Sequence, residues 1–476
     1  MNMGQRGRFF SLVLICSLLL PLSTHAEQQR NIYDESIYEL LVDRYFNGSG
    51  ANDYDVNTQQ ATSFAGGDFV GLVEQQAYIQ ELGFTTVAIG SVFDTNTYDG
   101  TALTSYDGIE PHFGTEDELH AVIQSFQDAQ VRVMIDFRLN NVSADHEWLQ
   151  QNATWATTQQ HTAVWDYTNK EFTDTLVTAL VQFQQTYKAG AIRLTEIDDV
   201  PQPFLEELIA QLRDVTPNVQ IVAASETTAS VDAYVNVDAV TQWADMFKAT
   251  SQSTASLSQL VQPNTPQIAA VDLLTTPRIT YKAAEENAFP PTRIKIAMAT
   301  LLTLPVVPQM TYGTEISMNG ADAASSHQIQ NFKVDEEIIE YIADIQSVRN
   351  KSAALRTGDF ELLHEDNGFV VFSRSNDDET WLVAINNTAE TQSYSLSTDM
   401  LGDDMELKGL FEKDIVRVDE NGQYNVVVNR ELVELYQVKK AQGFNYTYMG
   451  VMAFVYIIFI VFIWLLIKRA KRPTRI

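Results

Sequence analysis

Val131-Arg132-Val133-Met134-Ile135-Asp136-Phe137 is an apolar, β-branched run that follows directly on an amphipathic stretch from Glu116 to Ala129. The same couplet recurs on both sides of it. Thr85-Thr86-Val87-Ala88-Ile89 follows helical spacing in the seventies and early eighties. Ala191-Ile192-Arg193-Leu194 follows the stretch from Thr173 to Tyr187, and Ile221-Val222-Ala223-Ala224 follows the one from Pro203 to Leu212. Strand-like runs alternating with helix-like ones predict parallel strands joined by helical crossovers. Such alternation over about 300 residues fits a (β/α)8 TIM barrel better than a smaller open sheet. The expected fold class is therefore α/β.

Beyond Ser352 the period changes. Phe360-Glu361-Leu362-Leu363, Phe369-Val370-Val371-Phe372, Thr380 to Ile385 and Tyr424 to Val428 are short strands separated by turns such as Asp366-Asn367-Gly368 and Glu420-Asn421-Gly422. They predict a C-terminal antiparallel β domain.

The two ends address the chain. Arg6 and Arg8 precede an apolar run from Phe9 to Leu20, and Ser23-Thr24-His25-Ala26 follows. That order is a secretory signal cut after Ala26; the run is short for an uncleaved anchor, and Ile15 before Cys16 argues against lipidation. Tyr448 to Ile467 carries no charge over 20 residues, long enough at about 1.5 Å per residue to cross a hydrocarbon core of about 30 Å. Lys468, Arg469, Lys471, Arg472 and Arg475 follow it and mark the cytoplasmic side. The expected organisation is a signal peptide (1–26), barrel (27–350), β domain (351–440), linker (441–447), transmembrane helix (448–467) and basic tail (468–476). The expected location is the cell membrane, single-pass, with the ectodomain outside and the C-terminus cytoplasmic. Seven of the 31 Lys and Arg lie in the signal and tail, so the ectodomain holds 24 against 62 Asp and Glu, a net charge of −38. Such a field excludes nucleic acid as a partner and favours cations. Without Cys16 the mature chain has no cysteine, which rules out disulfides, thiol catalysis and Cys-zinc sites.

An ordered set of motifs then points to a family. Ser36 to Phe46 (SIYELLVDRYF) resembles the first barrel strand of α-amylase-type enzymes, glycoside hydrolase family 13. Gly66-Gly67-Asp68-Phe69-Val70-Gly71-Leu72 is similar to their GGD-x-x-G turn, and Pro111-His112-Phe113-Gly114-Thr115 to their PHFGT element. Asp136-Phe137 with Asn140, Arg193-Leu194, Thr276-Pro277-Arg278 and Tyr312-Gly313-Thr314-Glu315 continue the match in the family's order. The resemblance implies the barrel, a small loop domain after its third strand, the β domain, and hydrolysis or transfer at α-glucosidic bonds. That chemistry takes an Asp nucleophile, a Glu acid/base and a second, sugar-binding Asp. A retaining mechanism needs two carboxyl groups about 5–5.5 Å apart.

Here the implied nucleophile position is Thr195 and the second Asp position is Thr275, with Leu274 where the family has His. Only Glu226 matches a catalytic carboxylate, and its expected partner is Arg193 or water. Asn141 replaces the His that ends the Asp136-to-Asn140 motif, Thr101-Ala102 replaces a Tyr-Trp sugar platform, and Asp198-Asp199 replaces a Lys-His pair. A threonine hydroxyl needs a base to become a nucleophile. Glu196 is adjacent, but alternation along a strand turns it toward the helices. Asp198 and Asp199 are either solvated loop acids or a base that works with Glu226 in an inverting scheme. Arg193 and Asn141 remain as substrate-binding candidates. Asn47-Gly48-Ser49-Gly50-Ala51-Asn52-Asp53 is similar to the family's calcium loop, which implies Asn47, Ser49, Asn52, Asp53, Gly66 and Asp68 as ligands of a structural calcium. A polar loop braced by Asx turns is the plainer alternative.

The expectation is a catalytically inactive ectodomain that binds an α-glucan or other saccharide, or that serves as a scaffold for a membrane-protein partner. The alternative is an α-glucan hydrolase or transglycosylase with an unorthodox catalytic set.

Overall fold

The computed structural model describes residues 30–261, 266–441 and 446–470. The signal-peptide reading and tail residues Lys471, Arg472 and Arg475 lie outside them. Eight parallel strands close a barrel: β1 (Ile37–Glu39), β2 (Thr86–Ala88), β3 (Arg132–Arg138), β4 (Ala191–Thr195), β5 (Gln220–Ala223), β6 (Ala233–Val235), β7 (Gln267–Ala269) and β8 (Val307–Thr311), with β8 pairing back onto β1. Their inward residues, among them Ile37, Ala88, Met134, Val222, Ile268 and Val307, form a packed core. The first strand is shorter than the motif from 36 to 46 suggests. It ends at Glu39, and Val42–Tyr45 is already helical.

Local sequence accounts for the crossovers. Thr115 opens the helix Glu116–Asp128 with a capping box, its hydroxyl taking the Glu118 amide while Glu118 takes the Thr115 amide. Gly83, at φ +82°, ends the helix Gln76–Leu82. In the Gly-Gly-Asp turn a Cβ on Gly67 would lie 2.1 Å from the Val42 carbonyl oxygen, and one on Gly71 1.9 Å from that of Phe46. Only bare backbone fits there. After β3 the chain forms a three-stranded antiparallel patch, Val142–Ser143, Thr162–Trp165 and Ala156–Gln159, with His146 and three tryptophans packed beneath it.

The C-terminal domain adds β9 (Asp359–Asp366), β10 (Phe369–Ser375), β11 (Thr380–Asn386), β12 (Gln392–Ser397), β13 (Met405–Gly409), β14 (Ile415–Arg417), β15 (Gln423–Val428) and β16 (Leu432–Lys440). The larger sheet runs β9-β10-β11-β16-β13-β14, and β12 pairs with β15. Buried arginines join this domain to the barrel: Arg374 donates to the carbonyls of Thr303 (2.7 Å) and Gly358 (3.1 Å), and Arg349 to those of Leu302, Leu355 and Tyr33. The last helix, Tyr446–Ala470, contains a segment, Met449–Arg469, long and apolar enough to cross a membrane, and none of its most apolar window is buried.

Candidate functional site

The C-terminal ends of the barrel strands open on a cleft of about 500 Å³, the end at which barrels of this kind place their chemistry. Its floor is an ion triad. β3 and β4 pair so that Asp136 lies opposite Arg193, and residues level with each other on parallel strands share a face. Arg193 donates Nε and Nη2 to the two oxygens of Asp136, both at 2.8 Å, and Nη1 to Glu39 at 2.5 Å. The second Glu39 oxygen accepts from Gln309 (3.0 Å) and Thr311 (3.4 Å) of β8. Burial opposes the guanidinium charge, but Asp136 and Glu39 outweigh it and raise the Arg193 pKa. The sequence reading missed Glu39; the signal for it was a carboxylate in an otherwise apolar parallel strand.

Thr195 ends β4 and Thr275 lies in the loop after β7, and both line the cleft. Among the described residues neither hydroxyl has a hydrogen-bond partner. β5 ends at Ala223, and Glu226 lies beyond it in the loop, exposed and next to the cleft residue Ser225. Its partner is not Arg193 but the Asn236 amide, at 3.4 Å.

Glu196 is a second correction. It does not point to the helices. β4 stops at Thr195, and Glu196 takes φ +55°, which breaks the strand alternation and brings its carboxylate into the cleft. There Asn141, itself at φ +52°, donates Nδ2 to it at 2.6 Å, and Arg138 pairs with it at 3.4 Å. Asp198 also reaches the cleft, held by the Ser225 hydroxyl at 2.6 Å, whereas Asp199 is exposed and lies outside the lining. Asp99 takes the Thr101 amide and hydroxyl at 3.2 and 2.7 Å. His327 completes the wall. Its Nε2 meets the Leu274 carbonyl oxygen at 2.8 Å, so Nε2 donates and Nδ1 accepts the Tyr98 hydroxyl at 2.8 Å. Burial lowers its pKa and keeps the ring neutral. No motif flagged His327, because it enters the cleft from a helix more than fifty residues after Leu274.

In the loop matched to a calcium site, the Asn52 Oδ1 is buried with no hydrogen-bond partner among the described residues, while its Nδ2 donates to the His112 carbonyl at 2.6 Å. Asp53 is exposed, with Oδ1 taking the Asn47 amide at 2.8 Å. Asp68 is committed to the backbone: it accepts from the amides of Gly48, Ser49 and Gly71 and caps the helix Phe69–Glu74. The Ser49 hydroxyl takes the Ala51 amide at 3.3 Å, and Gly66 sits at φ +93° beside Asn47 and Asp53. Asn52 and Asp53 suit a hard cation; Asp68 has its lone pairs largely occupied.

Residues 39–195 match the α-amylase catalytic domain and residues 358–436 the α-amylase C-terminal domain. The structure superposes on an Anoxybacillus α-amylase with a TM-score of 0.84 at 27% identity, covering 87% of this chain and all of that one. The chain belongs to the α-amylase family. A Geobacillus thermoleovorans α-amylase solved with acarbose gives 0.82 at 28%, with the same 87% and 100% coverage. Among curated α-amylase relatives, the β/α-amylase of Paenibacillus polymyxa is 23% identical over 84% of this chain, which spans only 38% of that protein. The maltogenic α-amylase of Bacillus acidopullulyticus is 20% identical, over 77% of this chain and 72% of its own. The catalytic-domain match ends at Thr195, before the segments that carry Glu226 and Thr275.

Proposed function

We propose that this α-amylase-family chain binds saccharide in the barrel cleft, does not carry out retaining hydrolysis, and is held by its C-terminal helix at the outer face of a membrane. The observation that carries the reading is the placement of threonines, Thr195 and Thr275, in the cleft at the two positions where the resemblance implies aspartates. Retention requires two facing carboxyl groups, one to attack and one to protonate. Neither threonine hydroxyl has a hydrogen-bond partner among the described residues, and a threonine without a base is a poor nucleophile. The acarbose complex of the Geobacillus thermoleovorans enzyme supports saccharide as the ligand class. Lys468 and Arg469 at the end of the exposed apolar helix support a cytoplasmic C-terminus.

The test is incubation of the full chain in detergent with maltooligosaccharides, scored for new reducing ends, beside Glu226→Gln. The expected result is no product from either protein. Product that vanishes in Glu226→Gln would restore the hydrolase alternative. Co-purification of a membrane protein, with no saccharide affinity, would replace this reading by the scaffold one.

A structural calcium at the 47–53 loop belongs to the same proposal, with Asn52 Oδ1 and Asp53 as its first ligands. Calcium is expected to raise the melting temperature by a few degrees over EDTA, by mass action on the folded state. Asn52→Ala should abolish that increment. An equal increment in the variant rules out Asn52 as a ligand.

A further inference from the structure

We infer that Glu196 and Arg138 are a matched acceptor and donor that bind a vicinal diol of a neutral saccharide in the barrel cleft. The inference rests on the saccharide-binding reading above and names the residues that carry it. Both line the cleft, Arg138 from the last position of β3 and Glu196 from the position after β4.

The backbone bends against its own preference to put the acid there. Arg138 and Thr195 are partners across the two strands, so the strand ends lie level. Leu194 is fully buried, and an extended residue 196 would follow it toward the helices. Glu196 instead takes φ +55°, and Asn141, in the loop after β3, takes φ +52°. Asn visits the left-handed region readily; Glu does so at a cost. The carboxylate that the bend brings in is not buried, since the side chain is 36% exposed. It is clamped by Asn141 Nδ2, 2.6 Å from Oε2, and by Arg138 Nη2, 3.4 Å from Oε1. Backbone strain held in place at a cleft, with its neighbours fixing one side chain, marks a position kept for binding.

The pair is held but not used up. A carboxylate has about four acceptor sites, and Asn141 and Arg138 occupy two of those on Glu196. Arg138 Nε donates to the Asn141 carbonyl at 3.2 Å, which fixes the guanidinium. Its Nη1 makes no hydrogen bond among the described residues and is not one of their buried unpaired atoms, so it opens to solvent. A ligand facing the pair meets a charged acceptor beside a charged donor. Adjacent sugar hydroxyls fit both, one donating to Glu196 while its neighbour accepts from Arg138. An ammonium ligand would meet the guanidinium, and an acidic sugar would meet the carboxylate. The neutral sugar suffers neither repulsion. Because both groups are fixed beforehand, little ordering is left for the ligand to drive.

The test is calorimetric titration of the full chain in a detergent without a sugar headgroup. The probes are maltotriose and per-O-methylated maltotriose, whose oxygens accept but no longer donate. The parent is expected to bind maltotriose at least about tenfold more tightly than the methylated form, because Glu196 only accepts. Glu196→Gln keeps the size of the side chain and should cost about tenfold in maltotriose affinity, the loss of a charge-assisted bond. Glu196→Gly removes the carboxylate and suits the left-handed backbone. It should cost at least as much affinity while melting within about 2 °C of the parent. Binding by both variants within about twofold of the parent, or equal binding of the two probes by the parent, overturns the inference and leaves the saccharide reading standing. Loss of binding with a fall of more than about 5 °C in both variants would make the pair a brace for the strand ends, which also overturns it. No heat from the parent with maltotriose sinks the saccharide reading, and this inference with it.

Discussion

Arg193 shows how one buried guanidinium holds two carboxylates on the floor of the cleft. It is 6% exposed and neutralises two carboxylates that have no other cation among the described residues, Glu39 at 3% exposure and Asp136. Removing the guanidinium while leaving both acids in place exposes the full cost of burying an unpaired charge, about 3–5 kcal/mol. Arg193→Met is therefore expected to lower the melting temperature of the full chain sharply. Glu226→Gln, on an exposed loop with one long hydrogen bond, should move stability by less than about 0.5 kcal/mol. A loss below about 1 kcal/mol in Arg193→Met would mean that Glu39 takes up a proton when the cation is gone, and that the triad is not an obligate ion cluster. Adding Glu39→Gln to Arg193→Met should recover part of the loss, because the double variant leaves only Asp136 uncompensated.

At the scale of elements, the patch inserted after β3 carries its own pH response. His146 is fully buried among Tyr106, Trp148 and Trp165, with ring centroids 5.0–5.3 Å away. Its Nδ1 accepts from the Trp148 amide at 3.3 Å and caps the helix Glu147–Gln151. Burial pushes its pKa down from 6.5 to about 3. Between those values the unfolded chain binds a proton that the folded chain refuses. The stabilisation is thus complete above pH 6.5 and is lost as pH falls, by about 3 kcal/mol at pH 4. His146→Phe should flatten the decline in melting temperature between pH 6.5 and 4 relative to the parent; parallel curves would show that the ring already protonates in place. Legibility in the sequence also divides along elements. The alternation that predicts the barrel is a burial pattern, and β2 to β5 lie where the apolar runs place them. The end of β4 is not such a pattern. Glu196 turns into the cleft through a single left-handed residue, which periodicity cannot signal, so the alternation rule sent its carboxylate to the wrong side. In the β domain the mixed, partly exposed strands β12, β13 and β14 carry too little apolar contrast to announce themselves. β16 lies inside the 351–440 span expected for this domain, but its polar ending, Gln437 to Lys440, kept it from reading as a strand.

The whole molecule couples a rigid body to a short tether. The β domain is fastened to the barrel by guanidiniums that meet carbonyl oxygens across the junction, Arg374 to Thr303 and Arg349 to Leu355. The barrel and the final sheet therefore form one continuous packed unit ending at Lys440. The helix Tyr446–Ala470 starts only a few residues later, and an extended chain covers at most about 3.5 Å per residue. If the helix enters a bilayer, the sheet sits within about 20 Å of the entry point. Among the described side chains none in the helix is braced by the body: from Met449 to Ile467 the large apolar ones are 38–64% exposed, a surface that lipid or detergent must cover. The two parts should accordingly be separable. A chain ending at residue 441 is expected to leave the membrane fraction, stay monodisperse without detergent, and melt within about 2 °C of the full chain, because the helix contributes no buried contacts to the body. It should also keep the saccharide affinity of the full chain, since the cleft lies at the barrel mouth and takes no residue from the helix. A truncated chain that aggregates, or melts several degrees lower, would show that the helix packs against the body and that the anchor is part of the fold.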